Sequence, residues 1–256
     1  MVGKEMKTLQ EFINEKLKIK KTGIRETIKV KDSKELSKII ETRIKKEGPN
    51  CDLNDLDVSD IKSMSFLFYN SDFDGDISDW DMSNVTTCEG MFSYSKFTGK
   101  NSNINGWDMS NVTIMENMFA ASLFDGDISD WDVSSCSTFA GMFRRSEFDG
   151  DLSKWKTGSV KNMREMFLDS KFTGDISNWD TSNVINMQEM FSGATVNSDL
   201  SKWDIQKLRF ANDMFNGATV NCDLSSWDLK DVHSTNKKHM FLKCRIDKNK
   251  LPKNCK

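Results

Sequence analysis

The sequence predicts an α/β repeat fold. The expected architecture is a parallel solenoid of about eight 24-residue coils, each a short strand with a short helical return, behind an α+β N-terminal cap. Three observations carry this. All seven tryptophans (Trp80, Trp107, Trp131, Trp155, Trp179, Trp203 and Trp227) lie 24 residues apart, except the first pair at 27. A file of phenylalanines (Phe68, Phe92, Phe119, Phe143, Phe167, Phe191, Phe215 and Phe241) follows the same rule, with a last gap of 26. Within each unit, moreover, the apolar spacing changes halfway from an extended to a helical character.

The elements follow in chain order. Residues 1–24 read as an amphipathic helix and linker, because Leu9, Phe12, Ile13 and Leu17 fall at helical spacing within residues 7–18. Residues 25–49 read as a strand and helix that cap the array. Glu26 to Lys31 alternate, Asp32 and Glu35 form a capping-box pattern before Leu36, Ile39, Ile40 and Ile44, and Gly48 with Pro49 ends the run. A stack of repeats needs its first apolar coil shielded, and this segment is placed to do it.

Residues 50–245 hold the repeats. In the second unit Phe73, Ile77, Trp80 and Met82 suit a brief strand entered by a turn at Gly75. Val85, Cys88, Met91 and Phe92 then follow at i, i+3, i+6 and i+7, one face of a helical turn or two. Ser83 stands where its hydroxyl would cap that helix, and Ser110, Ser134 and Ser182 repeat it. The first unit carries Leu56 in place of Trp. Three extra residues in FTGKNSNINGW and two in WDLKDVHSTNKKHMF explain the irregular gaps. A unit of this size matches a leucine-rich-repeat coil, and it cannot bury its own Trp, Phe and Met without a neighbour at the ~4.8 Å interstrand distance. Residues 246–256 lose the pattern and read as a C-terminal cap or tail.

Composition narrows function. The 36 basic and 39 acidic side chains leave a net charge of -3, so no nucleic-acid partner is expected. The charge is divided: residues 1–49 hold 14 Lys and Arg against 8 Asp and Glu, and residues 50–256 hold 22 against 31. No apolar run approaches the ~20 residues of a membrane span, and the N-terminus lacks the apolar core of a signal peptide. Neither membrane insertion nor Sec export is expected.

No catalytic, metal or cofactor site is expected, and the chain reads as non-enzymatic. Two acidic columns, Asp76, Asp127, Asp151, Asp175, Asp199 and Asp223 before the aliphatic position, and Asp81, Asp108, Asp132, Asp180, Asp204 and Asp228 after Trp, would repel unless each carboxylate accepts local amides at a turn. A calcium column is the alternative, but the Gly-rich nonapeptide that would hold it is missing and Lys156 replaces one Asp. The six cysteines make no CxxC pair, and Cys88 and Cys136 stand at Met and Val positions of the repeat. The two histidines, His233 and His239, follow no nucleophile motif. Catalysis normally breaks a repeat rather than obeying it.

What varies between units marks recognition. The position before Trp includes Lys154 and Lys202, and the bend after Phe includes Tyr69, Tyr94, Arg144 and Arg145. Tyr and Arg are enriched at binding hot spots, so these six side chains are the candidate surface for a protein partner.

Two resemblances add to this reading. The stretch FTGDISNWDTSNVINMQEMF, Phe172 to Phe191, resembles the hallmark unit of the BspA-like leucine-rich-repeat family, also widespread in mycoplasma surface lipoproteins, and the pattern spans about residues 50–245. This implies a non-catalytic solenoid that binds proteins or surfaces, as a bacterial cell-surface adhesin would. MKTLQEFINE, Met6 to Glu15, resembles the capsid-targeting leader of internal head proteins of large tailed bacteriophages, with Glu15 at the processing position. That implies a virion cargo delivered to a bacterial host cytoplasm, where it would act on a host protein. Without the leader, the expected location is the bacterial cytoplasm.

Overall fold

The computed structural model describes residues 27–255; the amphipathic segment at 7–18 and the leader-like Met6 to Glu15 lie outside them. The described chain opens with strand β1 (Ile28–Lys29) and helix α1 (Ser33–Glu47). Asp32 caps α1 by accepting the Glu35 amide at 2.9 Å, and Glu35 reaches back to the Lys31 amide at 2.8 Å. Two amides without helical acceptors are thereby satisfied. Lys45 and Lys46 sit in the last turn, where carbonyls point out, and Gly48, at φ +92°, donates back to Ile44. Leu36, Ile39 and Ile40 form the buried stripe of α1 and join one apolar cluster with the first repeat unit. β1 runs parallel to β2 (Leu56–Asp57), with Ile28 opposite Leu56. Arg43 of α1 pairs with Asp55 of the first unit at 2.5 Å, the two side chains 4% and 10% exposed.

From residue 50 onward the units lie against one another in parallel register. Bridge pairs join Ser63 to Thr87, Thr87 to Ile114, Ile114 to Thr138, Thr138 to Asn162, Asn162 to Asn186 and Asn186 to Phe210. The steps are 24 residues, or 27 across the insertion. The insertion is taken up by a 3-10 turn at Ile104–Gly106, and the extra residues of the last unit by another at Ser234–Lys237.

This register corrects the expected division of each unit. The hydrogen-bonded ladder runs through the half expected to be a helical return, and α1 is the α-helix among the described residues. The expected strand around Phe73 to Met82 contributes one bridge, Asp52 to Asp76, and is otherwise built of turns. The physical reason is visible in the second unit. The Met91, Ser93 and Ser95 amides bond the Cys88, Gly90 and Phe92 carbonyls three residues back, at 3.2, 3.1 and 3.1 Å. The intervening Cys88, Gly90, Phe92 and Tyr94 amides donate across to Ile114, Glu116, Met118 and Ala120 of the next unit at 2.8–3.0 Å. Turns closed at i to i+3 put apolar residues three apart on one side, as a helix does. The alternate amides, however, leave the segment, so no i to i+4 ladder forms.

Left-handed residues enforce the pattern. Gly90 and Tyr94 have φ +57° and +58°, and the same two places recur in the other units, as at Glu165 and Asp169 (+56° and +51°) or His239 and Lys243 (+59° and +55°). Non-Gly residues there cost ~1–2 kcal/mol each and break any helix. In the first seven units they are held because four amides per unit find acceptors in the unit that follows.

Three aromatic files run through the core. Indole centroids from Trp107 to Trp203 succeed one another at 6.3–6.5 Å with planes within 10°. Phenylalanines from Phe68 to Phe241 follow at 5.3–5.9 Å. A second Phe file, Phe73, Phe97, Phe124, Phe148 and Phe172, stacks at 5.9–6.3 Å. It ends where Val196 and Val220 take the position, in the parallel pair β3 (Thr195–Val196) and β4 (Thr219–Val220). Each indole N–H donates to the carbonyl of the Ile or Leu in the preceding unit, from Trp80 on Leu53 at 3.0 Å to Trp227 on Leu200 at 3.0 Å. A buried aromatic with one polar handle thus ties every unit to the one before it.

Candidate partner-binding surface

The acidic columns are spent on the turns. Asp76, Asp127, Asp151, Asp175, Asp199 and Asp223 each accept the amide two residues on, at 2.8–3.0 Å. Asp81, Asp108, Asp132, Asp180, Asp204 and Asp228 do the same at 2.9–3.0 Å. The carboxyls of Asp81, Asp132 and Asp180 are held below the usual range, first by the hydroxyl of the serine two residues on and then by its amide. For Asp151, Asp199 and Asp223 the amide is the larger cause. The serines at 83, 110, 134 and 182 therefore do not cap a helix with their hydroxyls. They give their amides to an aspartate.

Other polar groups fall into structural places. All six cysteines are free thiols. Burial pushes the Cys136 thiol up to about 12, and Cys88 higher still. His233 caps the 3-10 turn of the last unit by accepting the Thr235 amide, and His239 lies 3.8 Å from Asp213. Among the described residues no group of three or more His, Cys, Asp or Glu is placed to hold a metal. An open depression of roughly 480 Å³ beside Lys154 is lined by Ser134, Lys156, Asn178 and Asp180 among others.

The six candidate side chains separate into two kinds. Tyr69 and Tyr94 meet edge to face at 5.8 Å and stand 52% and 54% exposed. Arg144 and Arg145 are engaged by the following unit, Arg144 with Glu165 at 3.0 Å and Arg145 with Asp169 at 3.5 Å. Arg164 shares Glu165. Lys154 reaches back to Asp130 at 2.9 Å, and Lys202 is exposed. The aromatic pair is joined by Phe66, 51% exposed and 6.1 Å from Tyr69. Sequence reading passed over Phe66. Its signal is an apolar ring at a left-handed position that other units fill with Gly, Asn, Asp, Glu or His. The ring lies against the α-carbon of Gly90 in the next unit, where a Cβ would collide with it.

A family model described as "Mycoplasma protein of unknown function, DUF285" matches residues 15–100, 34–147, 94–171 and 144–254. The chain belongs to this family. The four matches overlap and run almost the length of the chain, so DUF285 membership rests on the repeated array as a whole. This is a repeat protein. No curated protein and no solved structure matches it. Among the described residues no helix is long and apolar enough to cross a membrane.

Proposed function

We propose that this DUF285 chain is a non-enzymatic binding scaffold, a leucine-rich-repeat-like solenoid that presents an exposed face to a protein partner. The observation that carries the reading is the Phe66, Tyr69 and Tyr94 cluster. Three half-exposed aromatic side chains, joined through Tyr69, stand on backbone that is hydrogen-bonded to the following unit, through the Phe66, Phe68 and Asn70 amides at 2.8–2.9 Å. Aromatic anchors of this kind dominate binding energy because they bury a large area and lose little side-chain entropy. A rigid frame lowers the ordering cost further. The arginines at 144 and 145 contribute less, being committed to Glu165 and Asp169.

The test compares the full chain with a Phe66→Ser, Tyr69→Ser, Tyr94→Ser variant in cross-linking capture from bacterial and host-cell extracts. The reading expects a protein recovered by the parent and lost by the variant, with unchanged near-ultraviolet circular dichroism. Identical recovery by both would overturn it.

Family membership favours a second form of the same reading, a bacterial cell-surface adhesin of BspA-like type. Protease treatment of intact cells separates it from a cytoplasmic protein. The virion-cargo form rests on Met6 to Glu15, outside the described residues, and mass spectrometry of virions finding a chain that starts at Lys16 would support it.

A further inference from the structure

The repeat states a rule that its last unit does not complete. In each unit from the first to the seventh, alternate amides donate to carbonyls of the unit that follows. In the seventh these are Ala211, Asp213, Phe215 and Gly217, bonded to Asn236, Lys238, Met240 and Leu242 at 2.7–3.1 Å. The equivalent amides of the eighth unit are those of His239, Phe241 and Lys243. His239 and Lys243 have φ +59° and +55°, so this unit keeps the same backbone course. Among the described residues none accepts from these three amides. The C-terminal tail returns over the other half of the unit instead, with Val220 donating to Arg245 at 3.0 Å and Leu224 to Lys250 at 2.8 Å. Among the described residues, therefore, the ladder half ends in an uncovered edge of donors spaced two residues apart. Beside it Leu242 is 44% exposed and Phe241 is half-buried.

Charge sets the partner's chemistry. Residues 237–253 hold seven Lys and Arg against a single Asp, in a chain whose net charge is -3. Lys238, Lys243 and Arg245 are exposed along this end. A peptide that takes the same course, with turns closed at i to i+3, offers alternate carbonyls on one side at the same two-residue spacing, as each unit does to the one before it. From these observations we propose that the open edge of the eighth unit binds an acidic peptide segment of a partner protein, which takes up the course of the units. The segment adds one rung to the ladder, its carbonyls accepting from His239, Phe241 and Lys243 and its carboxylates facing Lys238, Lys243 and Arg245. Backbone donors in register favour a peptide over a nucleic acid, which would use the charges alone. A second copy of the chain fits poorly. Its first unit is covered by α1, and a helix ~10 Å thick cannot enter a gap of one ~4.8 Å rung. The proposal extends the scaffold reading to a surface apart from the aromatic cluster. The Phe66, Tyr69 and Tyr94 variant is not part of its test, so either can fail alone.

The experiment uses the full chain and three fluorescent probes: a short alternating Glu-Val peptide, its Lys-Val counterpart and a single-stranded oligothymidine. Binding is read by anisotropy, with hydrogen exchange reporting residues 239–243. The expected result is salt-sensitive binding of the Glu-Val peptide, slowed exchange at those amides, and affinity at least ~10-fold weaker in Lys238→Glu, Lys243→Glu. Glu165 and Glu189 already occupy the left-handed region, so the Glu at 243 does not test folding. Charge reversal at Lys96 and Lys171, exposed in distant units, should leave binding unchanged. The proposal is overturned if oligothymidine or the Lys-Val peptide binds as tightly, if exchange at 239–243 is unaltered, or if the chain alone assembles with concentration and protects those amides.

Discussion

Replacing Trp155 with Phe tests whether the units hold one another through the indole file. Trp155 lies between Trp131 and Trp179, at centroid distances of 6.5 and 6.4 Å, and its N–H donates to the Ile128 carbonyl at 3.1 Å. Phe keeps the apolar ring and removes the donor. The Ile128 carbonyl is not orphaned, because the Trp131 amide also donates to it at 3.3 Å. The loss is therefore that of one net hydrogen bond, about 1 kcal/mol, rather than the larger penalty of an unsatisfied buried group. The smaller ring leaves a void flanked by Phe139, Phe143 and both neighbouring indoles, which adds about 1–2 kcal/mol. Urea unfolding should show a loss of about 2–3 kcal/mol from the two causes together. The same change at Trp227, the last indole, should cost less, since its ring meets Phe215 at 6.1 Å and lies outside the run of stacked indoles from Trp107 to Trp203. Lys156→Ala serves as surface control. A Trp155→Phe loss no larger than that control would refute the claim that indoles bind unit to unit.

Further outcomes follow from other parts of the structure. Gly141→Ala should destabilise by about 1–2 kcal/mol, because φ is +63° and the new Cβ would meet the Asn117 side chain; Gly106→Ala, with open space around it, should be near neutral in the same melt. Arg43→Met strands the Asp55 carboxylate beneath α1 and should cost about 3–5 kcal/mol, whereas Arg43→Met with Asp55→Leu should recover most of it in thermal unfolding. Acid should loosen the whole array. Asp81, Asp132, Asp151 and Asp180 have folded-state carboxyls below the ordinary value of ~3.9, so their contribution is present above about pH 4 and is lost as pH falls through the folded values. Circular dichroism holding steady from pH 7 down to about pH 2 would contradict it.

The period reads directly from the sequence because its markers are large side chains that must be buried, and every unit buries them in the same way. Val85, Cys88, Met91 and Phe92 show why the local structure does not read as easily. Spacing reports which side a residue faces, and both a helix and a run of i to i+3 turns place every third residue on one side. What separates the two is the destination of the amides. That depends on a neighbour 24 residues away and on left-handed residues such as Glu165 and Glu189, which no propensity scale would put there. The aspartate turns were legible, since a column of like charges has few other ways to persist. Phe66 was not, because it breaks the unit at a place whose constraint is conformational rather than hydrophobic.

The same logic connects frame to binding. Inside the array the backbone ladder, the indole donors and the aspartate turns are satisfied between units or within a turn. None of them requires a particular side chain at the bend after Phe, so that position varies from Tyr69 through Arg144 to Leu242 without altering the frame. At the eighth unit the frame itself becomes the exception, because a ladder built by donating forward must end in donors. In the proposed scaffold, specificity would therefore have two sources: side chains that change along the face, and a backbone edge at the eighth unit that is set by the direction of the ladder and by the charges that unit supplies.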